Sequence, residues 1–340
     1  VISRLTLLLQ YYEKVYKIKA TEGVQVLIPP KFLGELKSLP EDTLSATQAV
    51  QEVGASSSSD MIDVLLTSDK QAMLSKYTGF CPGHNGELLS NLLRTKLSQN
   101  LSRLAPQLKG ELEHLIATEL PDCEDWSPIK VHPFTLRSIA RMTGYAFVGP
   151  TLNRNEEWMD TSINYAVHVF LSAVKLQFFP DWMRPVAKYL VPDLGRIDRG
   201  ISRAQNMLGP IIEERLRDMD CPGYENDKPD DFIQWLLDSL SAEDKVNIKT
   251  QTELQLILSA AAIHTTTNLT AECLFELASR PDVQELLREE VIEVFETGQA
   301  SWGDKQSMAK LRKMDSFIKE VQRLSGNVSK SYTTHIKSSR

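Results

Sequence analysis

The stretch Leu254–Arg280, LQLILSAAAIHTTTNLTAECLFELASR, decides how this 340-residue chain is read. Apolar residues recur at Leu254, Leu256–Leu258, Ala260–Ile263, Leu269, Leu274, Phe275 and Leu277. A surface helix with one greasy stripe holds fewer, so the spacing predicts one long, largely buried helix. Ala260, Ala261 and Ala262 leave a shallow dent that something flat can approach closely. Thr265, Thr266 and Thr267 follow it. Threonine hydroxyls bond back to the carbonyl four residues earlier and can loosen a helix locally. On these residues alone two readings stay open. One is a site beside the dent; the other is close helix packing with each threonine satisfied by its own backbone.

Outward from that helix the pattern remains helical. Pro281 suits the first position of a following helix, Val283–Glu296. Upstream, helices are expected over His84–Leu104, Pro106–Leu120, His132–Val148, Asn155–Phe179, Arg196–Met219 and Asp231–Leu240. Gly149-Pro150 ends the third of these, and Trp158, Ile163, Val167 and Phe170 form the expected buried stripe of the fourth. Asp304–Leu324 carries one or two more helices. At the start, Tyr11–Pro30 reads as a β-hairpin, with Val24, Val26 and Ile28 alternating and Glu22-Gly23 as the turn. Short helices over Lys31–Lys37 and Glu41–Glu52 follow, then a serine loop, Ala55–Asp60, and an irregular stretch to Cys81. The fold class is mainly α with a small N-terminal β element.

The bulk numbers exclude several functions. A net charge of −7 argues against nucleic-acid binding, which needs a basic surface. The four cysteines, Cys81, Cys123, Cys221 and Cys273, are scattered, as in a chain from a reducing compartment. No apolar run approaches the ~20 residues that span a bilayer, so the chain as written is expected to be soluble. It begins with Val1 rather than Met, which leads us to expect a fragment whose N-terminus, with any membrane anchor, is missing. Dinucleotide, nucleotide and hydrolase glycine motifs are absent. Cys81-Pro-Gly-His84 is half of a zinc spacing with no matching second half.

Glu320 and Arg323 lie three apart, on one face of a helix, where their charges can pair. The same spacing recurs at Glu214/Arg217 and Glu285/Arg288, so alone it says little. Its context says more. Glu320 follows Thr265 by 55 residues, with a helix opening Arg280-Pro281-Asp282 between them.

That arrangement resembles the cytochrome P-450 monooxygenases, whose central helix carries Ala/Gly-Gly-x-Asp/Glu-Thr-Thr/Ser. The matching residues are Ala261, Ala262, Ile263, His264, Thr265 and Thr266. Ala262 stands in place of the usual glycine and His264 in place of the acid. The hairpin ending Ile28-Pro29-Pro30, the run NLLRTKLSQNL and the run FVGPTLNRNEEWMDTSINYAVHVF are similar to fungal members that oxidise secondary metabolites. The resemblance implies haem-thiolate oxygen activation. Thr265, with Thr266, would hold dioxygen and a water, and His264 would relay protons through a water. Ala261 and Ala262 would leave room beside the haem. Arg94 would bind a haem propionate, and Glu320 with Arg323 would be a structural pair. It also implies a small apolar substrate (a terpenoid, indole-terpenoid or polyketide) and electrons from an NADPH-dependent reductase. The implied location is the cytosolic face of the endoplasmic reticulum membrane. Ser301–Arg340 holds nine Lys/Arg against three Asp/Glu, and two readings stay open: part of a basic docking face for the reductase, or a plain solvated basic surface.

One element of the family pattern is absent. The thiolate ligand belongs to a FxxGxxxCxG loop beyond the E-x-x-R helix, and no cysteine here has that context. Residues 329–340 are polar and lack a strand pattern. The expectation is a truncated, incomplete cytochrome P-450-like domain over 1–328, a non-family tail over 329–340, and no axial ligand for a metal. Such a chain would be inactive alone. The competing reading is a non-catalytic helical binding protein or an inactive gene remnant.

Overall fold

A computed structural model describes residues 13–20, 23–37, 44–45, 77–80, 85–125, 127–179, 182–219, 221, 223–224, 228–297, 301–324 and 335–336. The serine loop, Cys81, His84 and most of 61–81 lie outside the described residues. The chain divides into two compact units, residues 1–56 with 331–340, and residues 57–330.

In the first unit, β1 (Tyr16–Ala20) and β2 (Gly23–Leu27) form an antiparallel hairpin with Tyr16 opposite Leu27 and Ala20 opposite Gly23. Gly23 is therefore a strand residue, not part of the turn expected at Glu22-Gly23. Pro29 and Pro30 follow the second strand; proline donates no ladder bond, so pairing stops there. A 3-10 turn (Pro30–Phe32) leads into a short helix, Leu33–Lys37, as expected. The helix expected over 41–52 is corrected at Leu44–Ser45. These residues form β3 and pair antiparallel with β4 (His335–Ile336), inside the stretch read as lacking a strand. A two-residue pairing across some 290 positions leaves no periodic signal in either segment.

The second unit is helical. Its main elements are α1 (Gly86–Leu92), α2 (Ser98–Glu119), α3 (Val131–Leu152), α4 (Glu156–Gln177), α5 (Pro192–Asp218), α6 (Phe232–Ser239), α7 (Ile248–Ser279), α8 (Pro281–Val291) and α9 (Arg312–Leu324). A π-helical turn, Leu93–Leu97, joins α1 to α2 without a break. The expected boundary at Pro106 is absent: α2 runs through it. Proline removes one N–H and leaves the carbonyl four residues earlier, that of Ser102, without its helical donor. Gly303 packs there so closely that a Cβ on it would sit 2.5 Å from the Ser102 oxygen. Beside it Trp302 stacks on Phe295, with centroids 4.1 Å apart. Packing from outside the helix thus supports it past the proline.

Gly149 does interrupt α3, at φ 78°, a left-handed value that favours glycine. A Cβ there would lie 2.6 Å from Asp231 Oδ2. Asp231 uses that close approach twice. Its carboxylate caps α6 through the Gln234 N–H at 3.0 Å, and it accepts both Arg215 amino groups at 2.6 Å.

The centre of the unit is α7, which packs against α3, α4 and α5. Asn247 caps it by accepting from the Thr250 N–H at 3.2 Å. Leu254, Leu256, Ile257, Leu258, Ala260, Ala261 and Ile263 are all buried. Beyond that point burial is partial: Ala271 is buried and Leu269 and Leu277 are half-buried, whereas Leu274 and Phe275 are exposed. On α4 the buried stripe is Trp158, Tyr165, Ala166, Val169, Ala173 and Leu176, whereas Val167 is exposed. The expected stripe holds at Trp158, and Ile163 and Phe170 are half-buried and pack on the core; it fails at Val167.

The α4–α5 connection carries exposed Phe178, Trp182, Val186, Tyr189 and Leu190. Its two ends are joined by Asp193, which is fully buried and accepts from Lys175, from Arg196 at 2.8 Å and from His168 at 3.2 Å. Among the described residues no helix is long and apolar enough to cross a membrane.

Candidate functional site

Sequence singled out one turn of α7, and the helix is continuous through it. Thr265 is half-buried, and its hydroxyl donates to the Ala261 carbonyl at 2.7 Å. Thr267 does the same to Ile263 at 2.7 Å, and Thr270 to Thr266 at 2.8 Å. The back-bonding expected of threonine is present, but it does not break the helix. Thr266 is exposed. Ala261 is buried, and Ala262 is half-buried and packs on the main core.

His264 reaches across to α4. Its Nε2 lies 3.1 Å from the Ile163 carbonyl oxygen. Burial lowers its pKa from the ordinary histidine value; the Ile163 bond opposes that shift, and nearby His132 adds to it. The ring is therefore neutral near pH 7. One turn further on, His132 Nε2 approaches Asn268 Oδ1 at 3.4 Å, linking the first turn of α3 to α7. The Thr265 turn and the turn after it thus each carry a histidine contact to a different helix, on one face of α7. Neither partner was visible in sequence, because each lies more than 100 positions away.

Glu320 and Arg323 pair as expected, with Nε to Oε2 at 2.7 Å and Nη2 to Oε1 at 2.6 Å. The Arg323 bond lowers the Glu320 pKa. Arg280, at the C-terminal end of α7, lowers it further. That end is about 22 Å along the helix from Thr265, at 1.5 Å per residue. The pair therefore does not join the Thr265 turn. A residue that sequence missed fixes its helix instead. The buried carboxylate of Glu290, on α8, accepts the Lys313 N–H at 2.8 Å and the Met314 N–H at 2.9 Å at the start of α9. Helix N-termini leave such donors open, and a carboxylate suits their dipole.

Arg94 lies in the π-helical turn and is exposed. An apolar groove of about 500 Å³ lies between the end of α7, α8 and α9, lined by Leu274, Leu277, Leu287, Val291 and Met314. It begins about 14 Å along α7 from Thr265 and includes none of the expected site residues.

Cys123 and Cys221 are exposed, and half-buried Cys273 has its pKa raised by burial, which keeps the thiol protonated. Among the described residues no cluster of three or more His, Cys, Asp or Glu side chains could hold a metal ion. A haem iron needs one protein thiolate rather than such a cluster, and Cys81 lies outside the described residues; the Thr265 turn has the residue types of the oxygen side.

The sequence model of the cytochrome P-450 family matches residues 37–337. The chain belongs to the cytochrome P-450 family. The match takes in residues 329–337, most of the stretch set apart as a polar tail. Similar curated P-450s are fungal. The chain is 32% identical over 316 residues to cytochrome P450 monooxygenase AN1598 of Emericella nidulans, covering 93% of this chain and 55% of that protein. It is 32% identical to monooxygenase olcJ of Penicillium canescens, covering 93% and 56%, and 30% identical to adrA of Penicillium rubens, covering 91% and 56%. The chain thus spans a little over half the length of these P-450s. Among solved structures it resembles a retinoic acid-bound cyanobacterial P-450, CYP120A1. The TM-score is 0.59 at 15% identity, over 94% of this chain and 64% of that one. That likeness supports the P-450 fold assigned from sequence.

Proposed function

We propose that this chain carries the oxygen-side wall of a haem-thiolate monooxygenase pocket and takes its axial thiolate from sequence outside these 340 residues. The observation that carries this reading is the Thr265 turn. A threonine hydroxyl sits at the family position beside two alanines, on a helix buried against three others. When bound, haem would supply the oxygen-activating chemistry. On this reading Thr265 exchanges its bond to Ala261 for one to a ligand, Thr266 stands beside it, and Ala261 and Ala262 keep the wall low. His264 is neutral, and with Nε2 engaged its Nδ1 is the atom that accepts from a water. Arg94 is assigned to a haem propionate because guanidinium bonds a carboxylate bidentately. Glu320 and Arg323 are structural.

The substrate is proposed to be a small apolar secondary metabolite, of terpenoid, indole-terpenoid or polyketide type, oxidised with O2 and electrons from an NADPH-dependent reductase. The chain by itself is proposed to be inactive. The location at the endoplasmic reticulum membrane rests on the family alone. A second reading, a helical binding protein without catalysis, is favoured by one observation: the Thr265 hydroxyl already has a backbone partner. Sequencing the transcript beyond the Arg340 codon separates them. In-frame coding for FxxGxxxCxG supports the monooxygenase; a stop codon with no such exon supports the second reading.

A further inference from the structure

The carbonyl oxygen of Ile163 can only accept, so the ring nitrogen 3.1 Å from it must carry a proton. His264 therefore holds the Nε2–H tautomer and donates to the interior of α4. The family pattern has an acid at this position. An ionised carboxylate has no proton to give and would face the carbonyl oxygen with like charge. A neutral histidine replaces repulsion with a donor. The Ile163 oxygen keeps a second lone pair for its own helical bond, so α4 need not unwind to receive it.

We propose that His264 is a positioning residue, a cross-helix donor that ties α4 to the turn of α7 bearing Thr265. This rests on the reading of that turn as the oxygen-side wall, and it gives the histidine a role distinct from proton relay. Two features make the tie consequential. His264 is adjacent to Thr265, so a shift of α4 is transmitted directly to the turn. On the same face one turn further on, His132 and Asn268 link α7 to α3. This stretch of α7 is thereby braced against two helices. α4 in turn runs on to the Asp193 cluster, through His168 and Lys175, and so to the exposed connection. Movement of that connection can reach Thr265 through α4, by this hydrogen bond and by the packing of α4 on α7.

The test uses the full 340-residue chain and hydrogen exchange resolved by peptide. His264→Gln keeps an N–H at nearly the same reach and should leave exchange over 261–268 within about threefold of the parent. His264→Leu and His264→Glu remove the donor and should speed it about tenfold or more, Glu at least as much as Leu. Exchange in α2 reports global unfolding. If a variant loses protection there too, histidine nitrogen NMR of the parent decides. It should show His264 protonated at Nε2 and not at Nδ1 at neutral pH. Gln behaving like Leu, all variants exchanging like the parent, or an Nδ1-protonated ring would each overturn the proposal. None of these readouts needs haem, so they stand apart from failure of the monooxygenase reading.

Discussion

The Thr265 hydroxyl lies 2.7 Å from the carbonyl oxygen of Ala261, one turn earlier in the same helix. The hydroxyl proposed to serve oxygen chemistry is thus held by its own backbone, whose carbonyl already has a helical donor. Losing the hydroxyl should cost the apo fold little. Thr265→Val, which keeps the branched shape, should change unfolding free energy by less than about 1 kcal/mol in a urea titration. A loss of several kcal/mol would mean that Thr265 is a structural residue, and its assignment to the pocket would lose its basis.

Asp193 is buried among Lys175, Arg196 and His168. Burial alone would raise its pKa, but Lys175, Arg196 and His168 together lower it. A carboxyl with a lowered folded value stabilises fully above the ordinary carboxylate range, near pH 4, and that stability is lost as pH falls through the folded value. The parent should therefore lose stability below about pH 4, and Asp193→Asn should lack that part of the slope. At pH 7 the variant should be less stable by about 1–3 kcal/mol, since Lys175 and Arg196 are half exposed to solvent. Urea titrations at several pH values give both quantities.

Gly149 combines a left-handed φ with close approach to Asp231. Gly149→Ala adds a Cβ where the carboxylate sits and strains the backbone. A loss of about 2–4 kcal/mol is expected. A loss under 1 kcal/mol would show that the Asp231–Arg215 pair can move aside.

Glu290 caps α9 from α8, so Glu290→Ala should cost about 1–2 kcal/mol and raise amide exchange first in residues 312–316. If exchange rises evenly along α9, the cap is not what orders that helix.

These residues also mark what sequence could reveal. Local chemistry was legible: the apolar density of α7, the proline opening α8, the glycine interrupting α3 and the Glu320/Arg323 spacing each act within a turn or two. Partners supplied from a distance were not. Pro106 looked like a boundary because the packing of Gly303 and Trp302 lies nearly 200 positions away. The Glu290 cap, the Asp193 cluster and the His264–Ile163 contact join residues whose spacing carries no period. At the site, Thr265, Ala261 and Ala262 were placed together correctly on one turn. The structure does not bring Glu320/Arg323 to that turn, because a common helix face says nothing about separation along the fold.

The central claim is that these residues hold one wall of a P-450 pocket and not its iron ligand. Its most direct test is the carbon monoxide difference spectrum of the purified 340-residue chain, incubated with haem and reduced. The account predicts no thiolate-type band. A thiolate-type band that disappears when one of the four cysteines is changed to serine would contradict it.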